Sequence, residues 1–85
     1  MITRITIQPG KLGLEINSES GEIVEIMPNA QKCIQENLYP GWIIIGLNHK
    51  TYSEKLLYEL IEQKQVFEMK CKSPISLVTL LLFFS

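Results

Sequence analysis

The chain has 85 residues, 46% of them apolar, with 8 basic and 9 acidic side chains, 5 Gly and 4 Pro. That length holds one hydrophobic core and excludes a multi-domain enzyme. A formal charge of −1 with interspersed signs lacks the basic face of a nucleic-acid binder. Every charged residue precedes Ser73, whereas the stretch from Ser73 to Ser85 carries none and contains Ile75, Leu77, Val78, Leu80, Leu81, Leu82, Phe83 and Phe84. The sequence therefore divides into a charged domain over residues 1–72 and an uncharged apolar tail over residues 73–85.

In chain order, Ile2, Arg4, Ile5, Thr6 and Ile7 are β-branched and near-alternating, and Pro9-Gly10 stops them, which predicts a strand and a turn. The alternation and the charge at Arg4 also set this segment apart from a secretory signal. Leu12-Gly13-Leu14-Glu15-Ile16 predicts a second strand and Glu22-Ile23-Val24-Glu25-Ile26 a third. The polar loop Asn17 to Gly21 between them predicts an antiparallel hairpin.

Asn29 is placed to cap a short helix over residues 30–36, with Asn37 closing it in the left-handed region. After the turn Tyr39-Pro40-Gly41, the apolar run Trp42 to Leu47 predicts a strand covered on both faces, with Gly46 at a bulge or close approach. Thr51 followed three residues on by Glu54 has capping-box spacing and opens the longest helix, in which Leu56, Leu57, Leu60 and Ile61 form one apolar stripe. Gln65 to Cys71 returns to strand character. The expected fold is mainly β with two helices: a small antiparallel sandwich or partly open barrel capped by a short and a longer helix.

Four pieces of this sequence resemble the PDZ domain in their order and spacing, over about residues 2–72. Lys11-Leu12-Gly13-Leu14 resembles the family's carboxylate-binding loop. Residues 22–30 resemble its third strand running into the first helix. The stretch Leu38 to Lys50 is similar to the family's Leu-x-x-Gly-Asp-x-Ile-Leu-x-Val-Asn-Gly, and Ser53 to Ile61 falls at the start of the groove helix. Three positions depart from the pattern: Trp42 stands for the usual Asp, His49 for the usual Gly, and Lys11 where Gly is common.

The resemblance implies a protein-interaction module, without enzymatic activity or cofactor, that binds the C-terminal or extended segment of a partner in an adaptor or scaffold role. The segment would add as a strand to the edge formed by Leu14, Glu15, Ile16 and Asn17, with its alternate side chains against the second helix. Its carboxylate would be held by the backbone N–H groups of Leu12, Gly13 and Leu14, where glycine permits close approach, and Lys11 could steer it by charge. Leu12, Leu14, Ile16, Leu57 and Leu60 would form the pocket for the last side chain. One turn before Leu57 stands Ser53, and a shift of one residue would place Tyr52 there instead, a position that in the family sets ligand class.

Other residue types in the sequence point to no chemistry. His49 is flanked by Asn48 and Lys50, which make no catalytic triad with it. Cys33 and Cys71 form no CxxC or Cys/His cluster, so two reduced thiols and no metal site are expected, in a cytoplasmic setting with any membrane association supplied by a partner. Lys70 and Lys72 beside Cys71 could lower its pKa, although a buried, inert thiol is the plainer reading. The tail is too short to span a bilayer as a helix. Its alternative role is self-association, with residues 75–84 forming a homodimer interface in a structural rather than peptide-binding module.

Overall fold

A computed structural model describes residues 1–74. The elements are β1 (Ile2–Ile7), β2 (Leu14–Ile16), β3 (Ile23–Ile26), α1 (Lys32–Asn37), β4 (Ile43–Leu47), β5 (Lys50–Thr51), α2 (Glu54–Glu62) and β6 (Phe67–Lys72). They form a small mixed α/β domain: an open antiparallel sheet in the order β1-β6-β4-β5, a separate antiparallel hairpin of β2 and β3, and two short helices. The interface expected over residues 75–84 lies outside the described residues.

The large sheet follows from alternation. On β1, Ile5 and Ile7 point into the core while Arg4 and Thr6 face out, and on β6 the inward residues are Phe67, Met69 and Cys71. The register joins them, with Ile7 opposite Phe67 and Ile5 opposite Met69. On β4, Ile44 and Leu47 are both buried although three positions apart, which a regular strand would turn to opposite faces. The pairing with β6 slips between Ile44 and Gly46, so Ile45 is an extra residue that resets the phase, and the bulge expected at Gly46 is present.

The hairpin joins the sheet through the first residues of β3. Ile23 N–H donates to Trp42 C=O (2.7 Å), Gly41 N–H to Ile23 C=O (2.7 Å) and Ile44 N–H to Gly21 C=O (2.9 Å). Gly21, at φ +79°, is needed at this junction, because a Cβ there would stand 2.7 Å from the Ile44 carbonyl oxygen and 3.2 Å from the Tyr52 ring. The hairpin expected around Asn17 to Gly21 is present. Asn17 Oδ1 accepts from the N–H groups of Glu19 (3.1 Å) and Ser20 (3.3 Å), which builds the turn from its own first residue.

Several boundaries differ from expectation. Residues Leu12 and Gly13 precede β2 and belong to the loop. The first helix is capped at Gln31 rather than Asn29, and Asn37 is not left-handed. Instead the Asn37 side chain donates back to Cys33 C=O (2.7 Å) and Leu38 continues in extended conformation.

The capping box from Thr51 does not form either. Thr51 belongs to β5, and Ser53 is the N-cap of α2, its Oγ accepting from Leu56 N–H (3.1 Å). Strand β5 has no counterpart among the expected elements. It is reached through Asn48 and His49, both at positive φ (49° and 66°), which is the backbone pattern of a tight two-residue hairpin turn.

Candidate functional site

The cleft begins at a loop held by its own polar contacts. Gln31 Oε1 accepts from Gln8 N–H (2.9 Å), and its Nε2 donates to the carbonyls of Gln8 (2.8 Å) and Lys11 (3.4 Å). One amide side chain from the N-cap of α1 thus fixes both ends of the Gln8 to Lys11 turn. The loop then passes Gly13 at φ +73°, where a Cβ would lie 2.5 Å from Ala30 Cα and 2.9 Å from Ala30 N. Only glycine brings the two backbones this close. Among the described residues, the N–H groups of Leu12 and Gly13 donate to no acceptor.

Strand β2 has one paired and one open edge. Met27 N–H donates to Gly13 C=O (2.8 Å) and Asn17 N–H to Glu22 C=O (2.9 Å), with Glu15 opposite Glu25 between them. Antiparallel alternation therefore turns the N–H and C=O of Leu14 and Ile16 to the other edge, with which no described strand pairs.

Across that edge stands α2, and between them lies a cleft of about 350 Å³. Leu12, Gly13, Leu14 and Ile16 form one wall, and Glu54, Leu57, Tyr58 and Ile61 the other. Lys11 borders the cleft at the loop end, and Ser18 and Tyr52 at the opposite end, where Tyr52 Oη donates to Ser18 C=O (3.2 Å). Burial first, then the nearby charge of Glu54 and the neighbouring Tyr58, push the Tyr52 phenol above its ordinary pKa.

Of the residues expected in a groove, Lys11, Leu12, Gly13, Leu14, Ile16 and Leu57 are brought together around this cleft. Glu15 points away from it, beside Glu25 on the outer face of the hairpin. Asn17 follows β2 and spends its side chain on the turn. Ser53 spends its hydroxyl on capping α2, and Leu60 points into the core, 7% exposed. Tyr52, the alternative at the helix start, does border the cleft.

Sequence reasoning missed Glu54, Tyr58 and Ile61, although positions 54, 57, 58 and 61 recur at helical spacing and could have been found by rotating the face by one step. It also missed Gln31, whose role in holding a distant loop leaves no local signal.

The remaining chemistry-bearing residues stand apart. His49 is exposed on the β4 to β5 turn. Cys33 is half-buried with its Sγ 3.4 Å from Thr6 C=O. Cys71 is fully buried between β1 and β4, and burial pushes its thiol up to about 12, overriding the lowering that flanking lysines could give. Among the described residues, no group of three or more His, Cys, Asp or Glu is placed to hold a metal ion, and no helix is long and apolar enough to cross a membrane. No protein-family model matches the chain, and a search of curated proteins finds no match.

Proposed function

We propose that this chain is a PDZ-like interaction module in which the open sheet and the hairpin form a small, partly open barrel. It binds the C-terminal extended segment of a partner protein by strand addition, as an adaptor or scaffold. The observation that carries this reading is the open edge of β2 facing α2 across an apolar cleft, headed by a glycine loop with unengaged N–H groups. Those N–H groups suit a carboxylate, and the Leu14 and Ile16 backbone suits an extended chain. With the carboxylate at the loop that precedes β2, the ligand runs antiparallel to β2. Its last side chain then enters between Leu12 and Leu14 on one side and Leu57 and Ile61 on the other.

Calorimetric titration with a peptide ending in valine tests this. The free-carboxylate peptide binds, its C-terminal amide binds at least about tenfold more weakly, and Ile61→Lys, at a half-buried cleft position, loses binding while circular dichroism stays native. Equal affinity for acid and amide, or undiminished binding by Ile61→Lys, contradicts the reading.

A further inference from the structure

The cleft carries opposite charges at its two ends. Lys11 stands at the Gly13 end, and a second hollow continues from there past Ile61 to Lys64. Glu54, in the first turn of α2, lines the other end. Among the described residues, none of these three charges takes part in an ion pair. Lys55 follows Glu54 in sequence but is turned about 100° around the helix and does not border the cleft. The Tyr52 hydroxyl at the same end is already engaged with Ser18 C=O, and of the described residues lining that end Glu54 is the charged one.

The spacing assigns this carboxylate a ligand position. From Glu54 to Leu57 and Ile61, which flank the last side chain, the helix rises about 4.5 to 10.5 Å. An extended chain advances about 3.3 Å per residue, so Glu54 stands opposite a residue about one to three before the last. In a strand, alternate side chains share a face, and those that point at α2 are the last, the second before it and the fourth before it. The second before the last satisfies both conditions. We propose that this cleft selects C-terminal segments bearing Lys or Arg two residues before the end, with Glu54 reading the cation while Lys11 and Lys64 favour the carboxylate. The inference rests on the strand-addition reading and specifies the ligand class within it.

Fluorescence polarisation tests it with labelled peptides that end in valine, are otherwise uncharged, and carry lysine, alanine or glutamate at successive positions upstream. Lysine two residues before the end binds about two- to fivefold tighter than alanine, the range of an exposed ion pair. Glutamate there binds more weakly. Glu54→Gln, isosteric and exposed, removes the difference, Glu54→Lys reverses it, and raising salt to about 0.5 M shrinks it.

The same ranking in Glu54→Gln as in the unaltered protein, or a lysine effect equal at every position, overturns the assignment. Binding of all peptides without charge preference removes this inference and leaves the strand-addition reading standing. Absence of binding by any peptide removes both.

Discussion

Gly13 shows how one residue can be required twice, by its own backbone and by its neighbour's. Its φ of +73° is a left-handed conformation, and a Cβ there would overlap the backbone of Ala30. Gly41 has a comparable φ of +96° with open space around it. Gly13→Ala therefore adds an overlap to the conformational cost, and we expect it to lose more than about 2 kcal/mol of stability, against about 1 kcal/mol for Gly41→Ala. Urea denaturation of the two variants measures the difference, and equal losses would deny the close approach.

Cys71 makes a second prediction at this scale. Burial raises its pKa from 9.0 to about 12, so the folded state holds the proton more tightly than the unfolded chain does. The stabilisation from the neutral thiol is complete below about pH 9 and is lost as pH rises through 9 toward 12, by up to about 1.4 kcal/mol per pH unit. Cys71→Ala should be less stable at pH 7 because of the cavity, yet decline less steeply above pH 9. Parallel declines would place the alkaline sensitivity elsewhere.

At the scale of elements, strands were the most legible part of the sequence. The β-branched alternation of β1 and the polar loop between β2 and β3 are local signals, and both elements formed where they were expected. The helix termini were less legible because two hydroxyl residues compete for one cap. Thr51 has the better sequence spacing, but the short β5 claims it for pairing with Gly46, and Ser53 takes the cap. Ser53→Ala should therefore cost about 1 kcal/mol in chemical denaturation, while Thr51→Ala stays within about 0.5 kcal/mol. The reverse order would restore the capping box.

The face of α2 is only partly legible for a related reason. Leu56, Leu57, Leu60 and Ile61 make a stripe broader than one contact surface, and sequence does not say which edge meets the core. The fold turns Leu60 into the core, sets Leu57 at the boundary where it is buried yet still lines the cleft, and leaves Ile61, with Tyr58 and Glu54, along the cleft. Loop residues Leu12 and Gly13 were legible because glycine between two leucines is a local pattern. Gln31 was not, since its bonds to Gln8 and Lys11 exist only after α1 docks beside the loop.

At the scale of the whole molecule, the hydrogen bonds of β1 with β6 bring the two ends of the charged domain together. Ser73 N–H donates to Met1 C=O (2.9 Å), and the Met1 amino group donates to Ser73 Oγ (2.9 Å). The large sheet thus closes around Ile7, Ile44, Leu47, Met69 and Cys71, all at 1% exposure or less. The hairpin is fixed to it at Gly21 and Ile23, and β2 lies on the hairpin's far side with its edge open. We propose that this unpaired edge beside an apolar cleft receives another extended chain.

The most direct measurement of that claim is a two-dimensional ¹⁵N–¹H NMR titration with a free-carboxylate peptide ending in valine, repeated with its C-terminal amide. The account predicts saturable shifts largest at the amides of Leu12, Gly13, Leu14 and Ile16 and along Leu57 to Ile61, and their near loss with the amidated peptide. Shifts centred instead on the outer face of β1 and β6 or on the β4 to β5 turn, or the same response to both peptides, would contradict it.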